Sequence, residues 1–234
     1  MEQIRARFAR LNGNQLKIIA LIAMTCDHVG KLLFPNIEIL QILGRLAFPI
    51  FAYMIAEGCV HTKSKKKYLF MMAALGLLCQ SVYFFAMDSL YQCVLMTFSL
   101  SIILIYAFDY ALKNKNMSSY LLFGMVLFIE FFICNFLPKL LKGTDFEVDY
   151  GFVGVLLPVC IYLGTNHLEK LVIMEVLLVF LGYKMGGVQW YALLCPLLIL
   201  FYNGKRGKFK LKNLFYIYYP LHLVGIYLLS MVIF

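Results

Sequence analysis

Long apolar stretches of helical length dominate the chain, and short polar segments separate them. A helix that crosses a membrane needs about 20 mostly apolar residues. The candidates cover residues 15–34, 37–60, 68–87, 91–112, 117–138, 151–165, 168–184, 187–202 and 214–233. They lack the alternation of a barrel strand, and a helix satisfies its own backbone hydrogen bonds in lipid. The pattern predicts an all-α polytopic integral membrane protein with about nine transmembrane helices. We allow a range of about eight to ten because the sixth to eighth candidates are short and interrupted by glycines.

The composition supports this prediction and excludes several other classes of protein. The 234 residues are 63% hydrophobic and 14% charged, against about 45–50% and about 25% in an average soluble domain. A soluble enzyme, a disordered chain and a secreted disulfide scaffold are therefore excluded. The seven cysteines lie mostly in apolar runs without CxxC spacing, so we interpret them as packing residues and expect no metal. We find no internal repeat and expect one domain over residues 1–234.

Most of the 21 Lys and Arg residues fall in loops on one side of the predicted membrane. These loops contain Arg5, Arg7, Arg10, Lys17, Lys63, Lys65, Lys66, Lys67, Lys113, Lys115, Lys170, Lys205, Arg206, Lys208, Lys210 and Lys212. Loops on the other side contain Lys139, Lys142 and Lys184. The positive-inside rule makes the first set cytoplasmic and predicts a cytoplasmic N-terminus. Because the net charge of +9 is dispersed over short clusters, we expect a lipid bilayer and no nucleic acid as partner.

Ionisable residues inside apolar segments are costly in lipid and indicate function by default. The first segment contains Asp27, His28 and Lys31, whose spacing places them on one helical face. Arg45 in the second segment cannot lose its charge, so it needs an anion, either Asp27 or a bound ligand. Helical rise places Asp27 about 15 Å from the inner end of its span and Arg45 about 12 Å from the outer end. These depths are similar in a core about 30 Å thick. His222 lies within the last segment.

Further polar features accompany these residues. Pro49 removes a backbone donor and predicts a kink in the second segment, with room for a cavity. Glu57 lies near the cytoplasmic lysines and either pairs with them or lies at the mouth of a cytoplasmic site. The loop at residues 202–207 is basic and contains glycines. It is either an ordinary inner loop or one whose amides and cations hold phosphate.

Asp27, His28, Arg45 and His222 together form a mid-membrane set of acid, base and cation. Such a set fits acyl transfer, in which a histidine deprotonates a hydroxyl or amine acceptor and a cation stabilises the oxyanion. It also fits a proton-coupled transporter or flippase, which would use the same groups to relay protons. A third alternative is a structural membrane subunit, in which Asp27, His28 and Arg45 pair with each other.

Several motifs resemble the TraX family. They are, in order, LKIIALIAMTCDH, LGRLAFPIFAYMIAEG with the nearby Thr62, DYGFVG, YNGKRG and FYIYYPLHL. Proteins of that family are described as integral-membrane acetyltransferases, and its founding member is associated with acetylating the N-terminus of a conjugative pilin. The resemblance implies a multi-pass acetyltransferase of a bacterial inner membrane. The TraX family is similar to larger membrane acyltransferases, which take acetyl groups from cytoplasmic acetyl-CoA and deliver them to acceptors outside.

The resemblance also implies roles for individual residues. His28 matches the expected catalytic histidine, and we expect it to act as general base beside Asp27, with Arg45 holding the donor or stabilising the oxyanion. The donor substrate acetyl-CoA is expected to bind near Lys205 and Arg206. The other donor-binding candidates are Tyr202, Asn203, Glu57 and His222. The acceptor is a peptide N-terminus, a glycan or a lipid head group, and we expect it outside the cytoplasm near Asp149 and Tyr150.

Overall fold

The computed structural model describes residues 9–208 and 211–233, and their regular structure is helical. The helices are α1 (Gly13–Leu32), α2 (Glu38–Gly44), α3 (Ala47–His61), α4 (Lys65–Met87), α5 (Val94–Asn114), α6 (Met117–Asn135), α7 (Leu137–Leu140), α8 (Gly151–Leu163), α9 (His167–Met185), α10 (Cys195–Ile199) and α11 (Lys212–Ile233). A 3-10 helix, Gly187–Leu194, separates α9 from α10. The predicted all-α fold is confirmed. Arg5, Arg7 and Lys210 of the predicted inner clusters lie outside the described residues.

Five helical segments of the described chain are long and apolar enough to cross a membrane. They are Glu38–His61, Lys65–Met87, Val94–Asn114, Met117–Asn135 and Tyr216–Ile233. The other predicted spans are shorter or more polar: α8 has 13 residues, and α1 contains Lys17, Asp27 and Lys31. The chain is therefore a helical membrane protein. The count of about nine spans and the cytoplasmic N-terminus stay predictions.

The helices group into two compact units. The described residues up to 54, together with those from 164 onward, form the first unit, and residues 55–163 form the second. In the first unit, α1 packs against α2 and α11, and the 3-10 helix contacts α2, α9 and α10. In the second unit, α5 packs against α4, α6 and α8. The single domain expected over residues 1–234 stays a prediction.

The second predicted span is interrupted next to Arg45. Helix α2 ends at Gly44, and α3 begins at Ala47. Pro49 has no N–H with which to bond the carbonyl of Arg45, so regular helical bonding fails in the turn before the proline. The expected break is present, and it places Arg45 at the junction of two helices.

Helices α1 and α11 run in the same direction. Thr25 contacts Tyr218, and one turn later His28 contacts His222, so the contacts advance along both helices together. Two spans that cross a membrane in the same direction are separated by an odd number of spans. The parallel pairing is therefore compatible with the predicted nine spans, which place seven spans between the first and the last.

Candidate functional site

A buried ion pair joins α1 to the junction of α2 and α3. The Asp27 carboxylate contacts the Arg45 guanidinium group directly, and its other oxygen lies 2.7 Å from Lys31 Nζ. The side chains of Asp27 and Arg45 are only 12% and 7% exposed, whereas that of Lys31 is 50% exposed. Of the two anions considered for Arg45, the structure shows Asp27. Removing Asp27 would leave the buried charge of Arg45 without its carboxylate.

Gly44 allows this close approach. A Cβ atom at Gly44 would lie 2.4 Å from the Asp27 Cβ and 2.8 Å from the Asp27 Cα. Because these are positions next to the backbone, a side chain at Gly44 would force the two helices apart. The Gly44-Arg45 dipeptide of the sequence motif therefore acts as one structural unit, in which the glycine brings the cation to its carboxylate.

Arg45 has a second buried side-chain partner, Gln189 of the 3-10 helix. Arg45 Nη1 donates to Gln189 Oε1 at 3.2 Å, and Arg45 Nε donates to the backbone carbonyl of Gln41 at 3.4 Å. Gln189 is 2% exposed and is not among the predicted site residues. The signal for it is an amide side chain in the otherwise apolar segment 187–202.

His28 follows Asp27 in α1 and contacts His222 of α11. His28 Nδ1 and His222 Nε2 are 3.1 Å apart, and His222 Nδ1 lies 3.1 Å from the carbonyl oxygen of Tyr218. A carbonyl only accepts hydrogen bonds, so we assign the proton of the neutral His222 ring to Nδ1. Its Nε2 then accepts from His28 Nδ1, which leaves the lone pair of His28 on Nε2. The structure thus brings together two predicted site residues from opposite ends of the chain.

Tyr218 supports the histidine pair from one turn earlier. Its ring stacks on that of His222, with the ring planes 5° apart and the centroids 5.4 Å apart. Thr25 Oγ1 donates to the carbonyl of Leu21 at 2.8 Å, so the Tyr218 hydroxyl donates to Thr25 Oγ1 at 2.6 Å. These contacts fix the register of α1 against α11 and hence the distance between the two imidazole rings.

The site in the first unit thus consists of the Arg45 cation with the Asp27 carboxylate, and of the imidazole pair of His28 and His222. Because Asp27 and His28 are consecutive, their side chains point about 100° apart around α1, toward Arg45 and toward His222 respectively. Among the described residues, no group of three or more His, Cys, Asp and Glu side chains could hold a metal ion. The chemistry that this arrangement supports is proton transfer next to a fixed positive charge.

The basic loop at residues 202–207 closes the beginning of α1. The backbone N–H groups of Gly13 and Asn14 donate to the carbonyls of Lys205 and Arg206 at 2.8 Å and 3.0 Å. These helix-terminal amides are therefore already satisfied by protein. The side chains of Lys205 and Arg206 are exposed, so the cations, rather than the amides of α1, are accessible to an anion.

Two other predicted donor-binding residues have structural contacts in this loop. Tyr202 is 4% exposed, and its ring packs edge-on against Tyr53 with the centroids 5.9 Å apart. The Tyr53 hydroxyl in turn lies 2.9 Å from His167 Nδ1. Asn203 Oδ1 accepts from the backbone N–H two residues later at 2.8 Å. Tyr202 and Asn203 therefore shape the loop that presents the cations.

The second unit has ionic contacts near the predicted cytoplasmic ends of its helices. Glu57 Oε2 lies 3.6 Å from His61 Nε2, one turn later in the same helix. Asp109 contacts Lys65, and its other oxygen accepts from the Tyr162 hydroxyl at 2.8 Å. Glu57, a predicted donor-binding residue, thus has a local partner in α3.

Asp149 and Tyr150 lie where a loop of the second unit, predicted to be on the outer side, enters α8. Asp149 Oδ1 accepts from the Tyr91 hydroxyl at 2.6 Å, and its carbonyl accepts from Thr97 Oγ1 at 2.8 Å. Tyr150 has a φ of 61°, which is rare for a bulky residue. A Cβ at Gly154 would lie 2.5 Å from the Tyr150 Cβ, so glycine is required there. The DYGFVG motif therefore encodes a specific turn.

Comparison with known proteins shows to which family this helical membrane protein with a buried polar site belongs. The sequence profile of the TraX family, described as TraX protein, matches residues 12–230. The chain therefore belongs to the TraX family, and the resemblance seen in its motifs is confirmed.

Two relatives and the solved structures complete the comparison. The chain is 27% identical over 228 residues to the "Probable fimbrial assembly protein FimC, serogroup H1" of Dichelobacter nodosus, covering 89% of this chain and 91% of that protein. It is 50% identical over 38 residues to the "Uncharacterized protein RP591" of Rickettsia prowazekii (strain Madrid E), covering 16% of this chain and 15% of that protein. No solved structure matches the chain.

Proposed function

We propose that this protein is a membrane-embedded acetyltransferase. It moves an acetyl group from cytoplasmic acetyl-CoA to a hydroxyl or amine acceptor at or across a bacterial inner membrane. The observation that supports this proposal most is the contact between His28 and His222 beside the ion pair of Asp27 and Arg45. Acyl transfer needs a base for the acceptor's proton and a positive charge for the oxyanion, and membership of the TraX family agrees with this chemistry.

His28 acts as the general base in the proposed reaction. Its Nε2 accepts the proton of the acceptor while the acceptor's oxygen or nitrogen bonds to the acetyl carbon. The negative charge on the carbonyl oxygen is stabilised by Arg45. The carbon–sulfur bond then breaks, and the CoA thiolate leaves and takes the proton from His28. Asp27 holds Arg45 in place, and His222 fixes the orientation of the His28 ring.

The donor's phosphates bind the exposed side chains of Lys205 and Arg206 at the cytoplasmic end of α1. A helical rise of 1.5 Å per residue places His28 about 22 Å along α1 from Gly13, so the donor extends along α1 from these cations toward His28. We assign His222 to the histidine pair. The donor-binding role of Glu57 and the acceptor-side roles of Asp149 and Tyr150 stay predictions.

The acceptor is a peptide N-terminus, a glycan or a lipid head group. The Dichelobacter relative is named as a probable fimbrial assembly protein, which supports the first of these, because the subunits of a fimbria are polypeptides. We therefore propose a fimbrial or pilin-like subunit as the first acceptor to test.

The test uses the purified chain in proteoliposomes with acetyl-labelled CoA and a separate sample of each acceptor class. We expect the label to become covalently attached to one acceptor, as detected by mass spectrometry, and free CoA thiol to appear in equal amount. Absence of transfer to all three acceptor classes would contradict the proposal.

The second candidate is a proton-coupled transporter or flippase. The observation that favours it is Glu130 in α6, which is 2% exposed and whose two carboxyl oxygens have no hydrogen-bond partner among the described residues. A buried carboxyl inside a span is a functional candidate by default, and a proton relay is the role that a transporter would give it. This alternative predicts that a pH gradient moves substrate across the same proteoliposomes without covalent modification.

A further inference from the structure

Gln189 is a buried polar side chain whose amide oxygen is hydrogen-bonded and whose amide nitrogen is not. Its Oε1 accepts from Arg45, and the orientation of the amide is fixed because a guanidinium group has donors and no acceptor. The amide nitrogen must therefore point away from the guanidinium N–H. This Nε2 is buried and has no hydrogen-bond partner within the described residues. Burying an unpaired donor costs free energy, which a bound acceptor would recover.

The backbone around Gln189 is unusual. The 3-10 helix contains eight residues, whereas 3-10 runs longer than about three or four residues are uncommon. Gly186 precedes it and Gly187 is its first residue, with φ values of 65° and 52°, a region that favours glycine. A Cβ at Gly182 would lie 2.6 Å from the ring of Trp190, so glycine lets that ring pack on α9. The sequence therefore specifies a local fold that holds Gln189 against Arg45.

We propose that Gln189 binds the acyl oxygen of the donor thioester. Its Nε2 donates a hydrogen bond to that oxygen, beside the positive charge of Arg45, and keeps donating as the oxygen becomes negative. The ligand is thus a carbonyl oxygen on an acyl thioester, and Gln189 and Arg45 together form the oxyanion site. This inference rests on the proposed acetyl transfer and adds a residue and a ligand atom to it.

The binding test compares acetyl-CoA with ethyl-CoA, a thioether that lacks only the carbonyl oxygen. Trp190 is the chain's single tryptophan and is 36% exposed, so its fluorescence reports ligands bound next to Gln189. We expect the wild type to bind acetyl-CoA about three- to tenfold more tightly than ethyl-CoA. In Gln189→Glu, an oxygen still accepts from Arg45 but the amide donor is lost, and we expect the preference to disappear.

Transfer rates and controls complete the test. Gln189→Glu should lower the rate of acetyl transfer by about 10²–10³-fold, as loss of an oxyanion-site donor does elsewhere. Gln189→Met removes both the acceptor for Arg45 and the amide donor, and it should behave similarly. Thermal unfolding of both variants checks that they fold. Gln80→Glu places the same change in α4 of the second unit and should alter neither quantity. Trp190→Phe should abolish the fluorescence signal.

The outcomes separate this inference from the function on which it rests. If the wild type transfers acetyl and both Gln189 variants keep the wild-type rate and preference, Gln189 is only a structural support for Arg45, and the inference is overturned alone. If the wild type neither binds acetyl-CoA nor transfers acetyl, the proposed function is overturned and this inference with it.

Discussion

Each unit of the molecule contains a carboxylate paired with a cation, and the two pairs differ in setting. Asp27 and Arg45 of the first unit are buried, with side chains 12% and 7% exposed. Asp109 and Lys65 meet near helix ends of the second unit with side chains 22% and 49% exposed. An exposed pair can exchange its partner for water at little cost, whereas a buried pair cannot. We therefore expect the loss of a partner to cost much more in the first pair than in the second.

Replacing each pair's carboxylate by an amide should give the largest difference in stability between the two pairs. Asp27→Asn leaves Arg45 buried without its anion and should lower the free energy of unfolding by about 3–5 kcal/mol. Asp109→Asn should lower it by about 0–1 kcal/mol, because Lys65 can turn to water. Chemical unfolding in detergent measures both values. Equal losses in the two variants would remove the distinction between the pairs.

The glycine beside the buried pair gives a smaller effect. In Gly44→Ala, the new methyl group meets the Asp27 backbone, and overpacking of this kind costs about 1–3 kcal/mol. Gly124 of α6 has open space at the same position, so Gly124→Ala should be neutral or gain about 0.5–1 kcal/mol. The same unfolding measurement decides, and a Gly44→Ala protein as stable as the wild type would contradict the close packing.

Two tyrosine hydroxyls test whether the units differ in function as well as stability. Tyr218→Phe loses the bond to Thr25, and Tyr162→Phe loses the bond to Asp109. Each should cost about 0.5–1.5 kcal/mol of unfolding free energy. Only Tyr218→Phe should also slow acetyl transfer, because the lost bond to Thr25 sets the register of α1 against α11 and hence the distance between His28 and His222. A matching loss of transfer in Tyr162→Phe would show a general effect of reduced stability.

The smallest effect concerns Asp145, in the loop that precedes α8 of the second unit. Hydrogen bonds from the Ser89 hydroxyl and the Leu90 backbone hold the pKa of Asp145 below its ordinary value of 3.8. A depressed carboxyl pKa adds stability above pH 3.8, and this stability is lost as the pH falls through the folded-state pKa. Ser89→Ala should raise the pKa of Asp145 and reduce this acid dependence in unfolding measured against pH. An unchanged pH profile would show that the bond has no effect on the carboxyl.

The sequence predicts one half of the polar site better than the other. The meeting of Asp27 and Arg45 follows from counting helical rise in two adjacent spans, since both spans have clear ends. The pairing of His28 with His222 does not follow from depth alone, because it depends on which helix packs against α1. Gln189 escapes prediction because an amide carries no charge. Its place against Arg45 depends on the 3-10 helix that starts at Gly187, and the segment reads as an ordinary apolar span in the sequence.

The most direct test of the central claim is the rate of acetyl transfer from labelled acetyl-CoA in His28→Ala. We expect the rate to fall by about 10²–10⁴-fold, the usual contribution of a general base. The matched control is His61→Ala, since His61 has a side chain that is 69% exposed, and it should keep the wild-type rate. A His28→Ala protein that transfers acetyl at the wild-type rate would show that His28 is not the general base.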